Sequence, residues 1–126
     1  MKNCVFCQIV EGKIPCHKIY EDKNFLAFLD IAPFCEGHTL VIPKKHYRWV
    51  WDVPNIGYYF FVVKKIVKHY REVFGDEFIA SIIWGMLVEH AHVQILPNPR
   101  NLSLIWSRGK LTTPIAQKLL KKLKLK

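Results

Sequence analysis

Two histidines and a glutamine stand two residues apart late in the chain, at His90, His92 and Gln94. The sequence around them predicts a strand over 90–96, and side chains two residues apart lie on the same face of a strand. The residues between them are all apolar, so the opposite face would pack on a core. Packing alone does not require two imidazoles and an amide side by side. The pattern therefore favours a site of chemistry on the polar face.

Imidazoles in this arrangement offer two kinds of chemistry. A neutral imidazole can attack phosphorus and form a covalent phosphoramidate, and it can also bind zinc. Cys4 and Cys7 form a CxxC pair that supplies two thiolate ligands and needs two more for a tetrahedral site. Both His90 and His92 could complete that site, or one could bind the metal while the other remains for catalysis. The second scheme is favoured, because the first leaves Gln94 without a role.

The remaining sequence predicts an α+β arrangement that could position these groups. Further strands are predicted by short β-branched or aromatic runs over 17–20, 25–29, 37–43 and 78–83. Strands joined by tight turns are expected to pair in antiparallel fashion. Near the N-terminus, a brief helix is predicted over 5–10.

A long amphipathic helix is predicted over Ile56–Phe74, with Asn55 as its N-cap and Gly75 at its end. Apolar residues recur there at spacings of three and four, which defines one buried stripe. The stripe comprises Ile56, Tyr59, Phe60, Val63, Ile66, Val67 and Tyr70.

A last helix is predicted to begin at Thr113-Pro114, a cap followed by a proline in the first turn. One of its faces is apolar, formed by Ile115, Leu119, Leu120 and Leu123, and lysines cover the rest. We expect this helix to dock on the body of the protein with its lysines in solvent. The alternative is a weak contact of the basic tail with nucleic acid or an anionic membrane.

Composition limits the remaining possibilities. The chain has 126 residues, 51% of them hydrophobic, which is enough for one folded core and argues against general disorder. A formal charge of +9, from 19 Lys and Arg against 10 Asp and Glu, favours anionic partners. Neither a secretory signal nor an apolar run long enough to cross a membrane is recognisable. We therefore expect a cytoplasmic protein whose four cysteines do not form a disulfide framework.

The segment from His90 to Pro97 resembles the histidine-triad (HIT) motif, in which histidines alternate with apolar residues on a strand. Three other segments resemble the family in the same order: its opening, its nucleoside-binding strand and the strand that follows. These segments are 4–15, 25–33 and 37–46. The order and spacing agree from the N-terminus to about Pro99.

The resemblance implies an α+β fold, an antiparallel sheet with one long helix packed on it, that pairs into a homodimer. The HIT-like domain would span 1–110, with a basic amphipathic helix or tail over 111–126. It also implies hydrolysis or transfer at the α-phosphate of a nucleotide, with His92 as the nucleophile that forms a nucleotidyl-histidine. Gln94 would donate a hydrogen bond to the phosphate, and His38 would support the catalytic strand.

Binding roles follow from the same resemblance. Asp30 would accept hydrogen bonds from the ribose, and Gly85 belongs to the loop that faces the phosphates. The base of a nucleotide, with a purine favoured, would lie between Phe6, Ile9, Phe28 and Ile31. A structural zinc ion would be held by Cys4, Cys7, His46 and His90.

Two departures from the family pattern affect the expected function. The third position of the motif is Gln94 rather than histidine, as in the branch that includes nucleotidyltransferases. The loop that commonly reads Gly-Gln-Ser/Thr is here Gly85-Met86-Leu87, which lacks polar side chains. Phosphates would then be held by other cations, and the candidates are Arg100, Lys44 and Lys45. The alternatives are a catalytically weak nucleotide-binding or scaffold protein, and a nucleic-acid-binding zinc module that uses the tail.

Overall fold

The computed structural model describes residues 3–100 and 109–125. Within these ranges five strands form one antiparallel sheet, which confirms the α+β class. The strands are β1 (Lys18–Glu21), β2 (Phe25–Leu29), β3 (Thr39–Pro43), β4 (Ile79–Ile82) and β5 (Val93–Pro97). Their order across the sheet is β1-β2-β3-β5-β4, so the last strand in sequence lies between β3 and β4. Because β5 pairs with β3, this order places the segment that follows His92 next to the strand that follows His38.

Among the described residues, three α-helices accompany the sheet, α1 (Val5–Val10), α2 (Ile56–Phe74) and α3 (Thr113–Leu123), together with a short 3₁₀ helix over Val50–Asp52. The bounds of α2 are those that the sequence predicts. Gly75 ends it in the left-handed conformation, at φ 64°, where glycine carries no steric penalty. Asn55 stands at the N-cap position of α2, but its side chain makes no capping hydrogen bond.

The sheet is buried on both faces. On one face, side chains from β2, β3 and β5 pack against α2 and α3 in the larger core. On the other face, Leu26 and Phe28 of β2 and Leu40 and Ile42 of β3 pack with Phe6 of α1. Because alternate residues of a strand serve opposite faces, every residue of β2 and β3 is buried. The second face, beneath α1, carries the candidate site.

Two buried tyrosines tie α2 to the central strand β3. The Tyr59 hydroxyl donates to the Val41 carbonyl over 2.6 Å, and the Tyr70 and Thr39 hydroxyls lie 2.7 Å apart. Burial raises the pKa of both tyrosines, so both remain neutral at physiological pH. These bonds fix β3, the strand that pairs with β5, against the long helix.

Three local predictions were wrong in detail. The strand expected over 90–96 begins only at Val93, so His90 and His92 lie just before it. On α2, Phe60 is 36% exposed while Val62 is fully buried. The buried face of the helix is therefore rotated slightly from the predicted one, so that it includes Val62 in place of Phe60. On α3, Ile115 is exposed and Ala116 is buried in its place.

The helix α3 docks on the body as expected. Ala116, Leu119 and Leu123 join the larger core, where α3 contacts α2 and β1. Its basic face is partly engaged as well, since Lys122 lies 3.4 Å from Glu36 and over the Phe74 ring. The contact of this tail with nucleic acid or an anionic membrane stays a prediction. Among the described helices, none combines the length and apolar character needed to cross a bilayer.

Candidate functional site

Cys4, Cys7, His46 and His90 form a compact group beside the second face of the sheet. Their sulfur and nitrogen atoms all lie within 4.8 Å of one another. The Nδ1 atom of His90 is 3.3 Å from the Cys4 sulfur and 3.5 Å from the Cys7 sulfur, and the Nδ1 atom of His46 is 3.4 Å from the Cys7 sulfur. Ligand atoms in a tetrahedral zinc site are roughly 3.3–3.8 Å apart, given Zn–S of about 2.3 Å and Zn–N of about 2.0–2.1 Å. The donor set and its spacing therefore fit zinc.

Each part of this cluster is oriented by its local structure. Cys4 is the N-cap of α1, and its sulfur accepts a hydrogen bond from the Cys7 backbone N–H over 3.3 Å. The Nε2 atom of His90 lies 2.8 Å from the Pro43 carbonyl at the end of β3. That carbonyl can only accept, so Nε2 carries the proton and Nδ1 keeps its lone pair toward the sulfurs. Burial lowers the pKa of His90 to about 4, which keeps the ring neutral, as a metal ligand must be.

His92 lies next to the cluster but is turned away from it. Its Nδ1 is 2.8 Å from the His90 carbonyl and must donate to it, so Nε2 holds the lone pair of the ring. Burial lowers the pKa of His92, which favours the neutral and nucleophilic form. Phe6 contacts this ring edge-on, with centroids 5.4 Å apart. The two histidines thus separate in space, one to the cluster and one to the adjoining groove.

His38 and Gln94 form a second pair within the site. The Nδ1 atom of His38 accepts the Phe34 backbone N–H over 3.0 Å, so the ring proton is on Nε2. That Nε2 donates to the side-chain oxygen of Gln94 over 2.9 Å and lies 3.6 Å from a carboxylate oxygen of Asp30. With its oxygen engaged in this way, Gln94 turns its NH₂ group away from His38.

His92 and Gln94 line a groove of about 650 Å³, a typical volume for a small-molecule site. Asp30 also lines it and is nearly buried, with one carboxylate oxygen accepting the Ala32 backbone N–H over 2.8 Å. The predicted base-binding residues Phe6, Ile9, Phe28 and Ile31 all line this groove. Phe6 and Phe28 are buried and meet edge-on at 5.6 Å, whereas Ile31 is 73% exposed at the rim.

Gly85 marks the loop between β4 and the motif. Its φ is +78°, a conformation that favours glycine, and an added Cβ would lie 3.0 Å from the Trp49 ring and crowd it. Its carbonyl accepts a hydrogen bond from the Arg48 guanidinium over 2.7 Å. That guanidinium stacks on Trp49 at 3.8 Å and lies 3.5 Å from Glu89. The sequence analysis did not identify Arg48 as part of the site. Its position two residues after His46 was the one feature of the sequence that could have indicated it.

The three cations named as candidates to replace the polar phosphate loop have other partners in the structure, and their role at a phosphate stays a prediction. Lys44 pairs with Glu21 at 2.8 Å, and Arg100 pairs with Asp76 at 2.7 Å. Lys45 lies over the Tyr47 ring. None of these residues lines the groove that holds His92.

The sequence and the fold resemble those of known proteins. Residues 11–101 match the family model described as HIT domain. The chain is 38% identical over 104 residues to adenosine 5'-monophosphoramidase hnt1 of Schizosaccharomyces pombe, covering 77% of this chain and 75% of that protein.

Two solved structures are similar over nearly the whole length. A Hit-like protein involved in cell-cycle regulation from Bartonella henselae has a TM-score of 0.84 and 28% identity, covering 98% of this chain and 95% of that one. A Zn-bound histidine triad family protein from Mycobacterium smegmatis has a TM-score of 0.77 and 35% identity, with coverage of 95% and 91%.

Proposed function

The chain belongs to the HIT family, and from this premise we propose that it hydrolyses or transfers nucleotides at the α-phosphate through a covalent intermediate on His92. The observation that carries the proposal is the state of that side chain. It is a neutral imidazole with Nδ1 held by a backbone carbonyl and Nε2 left as the nucleophilic atom beside a nucleotide-sized groove. The monophosphoramidase from S. pombe supports cleavage at an AMP phosphate.

The reaction has two steps that balance at the phosphorus. In the first, the Nε2 lone pair of His92 forms a P–N bond, and the leaving group departs with the electron pair of its own bond and takes up a proton from water. In the second, an oxygen of water or another acceptor attacks phosphorus, the P–N bond breaks, and its electron pair returns to Nε2. The acceptor's proton passes to solvent, and the neutral ring is restored.

Gln94 is proposed to stabilise the phosphate in both steps. Its oxygen accepts from His38, so its NH₂ is the end that can donate to a phosphate oxygen. A fixed donor aimed at developing negative charge lowers the barrier without reorganising during the reaction. His38 acts here as a positioning residue.

The groove is proposed to bind the nucleoside. Phe6 and Phe28 form an apolar wall for a base, a purine by preference, and Ile9 and Ile31 extend that wall. Asp30 lines the same groove, with a carboxylate oxygen 3.6 Å from the Nε2 atom of His38, and its carboxylate suits the ribose hydroxyls. The base, sugar and phosphate would then occupy successive parts of one groove.

We also propose a structural zinc ion held by Cys4, Cys7, His46 and His90. When bound, it cross-links α1 to the loops that carry the two histidines. Phe6 lies between the two cysteine ligands, so the cross-link would set one wall of the groove. The thiols must be reduced to bind metal, and none of the described cysteines is in a disulfide, which suits the cytoplasm.

A homodimer is part of the proposal. The α2 surface exposes Phe61 at 57% and Tyr58 at 38%, and exposed aromatic residues of this kind favour an interface. Light scattering on the purified protein should give the mass of two chains, and Phe61→Glu should shift it toward one.

Covalent trapping tests the catalytic proposal. The protein is mixed with adenosine 5'-phosphoramidate, quenched at alkaline pH and measured by intact mass spectrometry. An adenylyl adduct should form on the wild type and be absent from His92→Asn. A matched control is His69→Asn, which changes a histidine of α2 that does not line the groove. An adduct that survives in His92→Asn would overturn the proposal.

The apolar loop favours one second candidate, a nucleotide-binding protein with little turnover. Met86 and Leu87 are 61% and 78% exposed and offer no polar side chain to a phosphate. Nucleotide binding by calorimetry without any adduct on His92 would support this candidate instead.

A further inference from the structure

Most of the net positive charge of the chain lies on two helices. Of the 19 lysines and arginines, eight belong to α2, to α3 or to the residue that caps α3, whereas one of the 10 acidic residues, Glu72, lies there. The rest of the chain, with 11 basic and nine acidic residues, is close to neutral. The eight cations are all exposed, and together they form what we term the basic face: Lys64, Lys65, Lys68, Arg71, Lys118, Lys121, Lys122 and Lys124.

The two helices that carry the basic face are in contact and lie on the side of the sheet away from the groove. Both pack their apolar sides into the larger core, and α3 contacts α2 and β1. The Lys122 ammonium lies 5.3 Å from the centre of the Phe74 ring at the end of α2, and the Lys65 ammonium lies 5.3 Å from that of Tyr20 in β1. A partner bound to the outward sides of these helices would therefore leave the groove open.

Little of the charge on the basic face is neutralised within the protein. Among the described residues, Glu36 is the one carboxylate within salt-bridge distance of it, at 3.4 Å from Lys122. The Nε atom of Arg71 donates to the Glu77 backbone carbonyl over 2.9 Å, which leaves the charge of the guanidinium unpaired with any described carboxylate. Like charges four residues apart on a helix, such as Lys64 and Lys68, repel one another. An anionic partner would relieve this repulsion.

We propose that the basic face binds the phosphate backbone of nucleic acid. Several cations that neutralise a polyanion together release its condensed counterions, which is the main source of binding without sequence preference. Lys64 and Lys68 are separated by about one turn of α2, and Lys118 and Lys121 by about one turn of α3, so each helix presents outward charges about 5–6 Å apart along its axis. A lysine contacts phosphate as a point charge. We therefore expect the protein to bind many sequences equally.

An anionic membrane fits this surface less well. Helices that bind membranes bury an apolar face among the lipids. The apolar face of α3 is already in the protein core, and Ile115, at 49%, is the large hydrophobic side chain of this helix that is exposed. On α2, Tyr58 and Phe61 precede the cations and belong to the proposed dimer contact. Lysines with no apolar face to insert are better suited to phosphates in water.

Binding is measured by fluorescence anisotropy with a labelled oligouridylate RNA and with a DNA duplex, each about 20 nucleotides long, between roughly 50 and 200 mM KCl. We expect a dissociation constant of about 10⁻⁶–10⁻⁴ M near physiological salt and a linear fall of log affinity with log salt concentration. Vesicles of phosphatidylcholine and phosphatidylserine are tested in parallel by cosedimentation. Absence of nucleic-acid binding at the lowest salt, with or without binding to vesicles, would overturn the inference.

Matched double variants locate the contact, because each removes the same amount of charge. Two of them change the basic face and should weaken RNA binding by about tenfold and reduce the salt slope by about 1.4, the value for two phosphate contacts on a single strand. The third changes exposed lysines elsewhere and should leave both quantities nearly unchanged. The variants are Lys64→Gln with Lys68→Gln, Lys118→Gln with Lys121→Gln, and, as the control, Lys13→Gln with Lys23→Gln. Equal weakening in all three would show that net charge alone attracts the RNA and would overturn the inference.

AMP distinguishes the basic face from the groove. RNA bound at the basic face should stay bound when AMP is added in excess, whereas RNA held through the groove would be displaced, and displacement would overturn the inference. Because the substituted lysines are exposed, the melting temperature and the mass from light scattering should match those of the wild type, so that a loss of binding is not a loss of folding or pairing. Failure of RNA binding would leave the proposed catalysis at His92 untouched.

Discussion

The Nε2–H group of His38 donates to the side-chain oxygen of Gln94 over 2.9 Å. The ring has no other choice of tautomer, because its Nδ1 accepts the Phe34 backbone N–H. The bond therefore selects which end of the Gln94 amide is available for a phosphate. A glutamine at the third motif position can in this way present a donor even though it carries no titratable proton.

Gln94→Glu should reduce turnover sharply. A carboxylate keeps an acceptor for His38 but replaces the NH₂ donor with a negative charge beside the phosphate. Loss of one fixed donor of this kind typically costs about 100-fold or more in kcat. Steady-state kinetics with adenosine 5'-phosphoramidate measure the effect. The control is Gln117→Glu, the same change at an exposed position of α3; equal activity of Gln94→Glu and wild type would contradict the assigned role.

His38→Phe should reduce both stability and kcat. Phenylalanine preserves the ring stacked on Phe34 at 5.2 Å but removes both hydrogen bonds, which leaves a buried carbonyl oxygen of Gln94 without its donor. We expect a loss of about 1–3 kcal/mol in the free energy of unfolding, together with a fall in kcat as the amide loses its orientation.

A double-mutant cycle separates the two roles of His38. Urea denaturation and kinetics are measured for His38→Phe, Gln94→Leu and the double variant. The two losses should be clearly less than additive, because each single change breaks the same hydrogen bond. Strict additivity would show that His38 acts independently of Gln94.

The local features of this fold could be predicted from sequence, but its long-range contacts could not. The period of α2 and the glycine at its end are encoded within a few residues, so Ile56–Phe74 was predicted with the observed bounds. The partners of Lys44 and Arg100 are set by which strands become neighbours, and β5 inserts between β3 and β4. The sequence alone therefore could not show that these two cations have carboxylate partners.

The candidate site shows the same division. The residue types of the cysteine-histidine cluster and of the groove wall are readable from short motifs, and the structure brings them together. Arg48 and Gly85 are 37 residues apart in the sequence, and the acceptor is a backbone carbonyl. A pattern of side-chain types therefore cannot predict this contact. The sequence also placed the start of the last strand too early, at His90. In the structure His90 bonds to the Pro43 carbonyl and belongs to the cysteine-histidine cluster, and the regular strand begins only at Val93.

Loss of one cluster ligand should weaken both metal binding and folding. Cys7→Ser replaces a thiolate with a poor zinc ligand and should lower the zinc content measured by atomic emission. The cross-link to α1 would be lost, and we expect the melting temperature to fall by roughly 10 °C, about 3 kcal/mol for a domain of this size. Cys35→Ser is the matched control, because that cysteine lies outside the cluster. Full zinc content in Cys7→Ser would contradict the ligand assignment.

Arg48→Ala should loosen the loop that precedes the motif. The guanidinium holds the Gly85 carbonyl over 2.7 Å and covers Trp49, which itself packs on that glycine. Without it, the amides of residues 84–89 should exchange with deuterium faster, and kcat/KM should fall by about tenfold because the rim beside His92 is no longer fixed.

A matched control exists for this arginine. Arg71 also donates to a backbone carbonyl, that of Glu77, over 2.9 Å, but it does so on the exposed surface away from the groove. Arg71→Ala should leave exchange at 84–89 and kcat/KM unchanged, and Arg48→Lys should restore part of both, since an ammonium can still reach the carbonyl but cannot reproduce the planar stacking on Trp49. If Arg48→Ala and Arg71→Ala behave alike, the loop is held by Trp49 and the glycine conformation alone, and Arg48 has no part in positioning it.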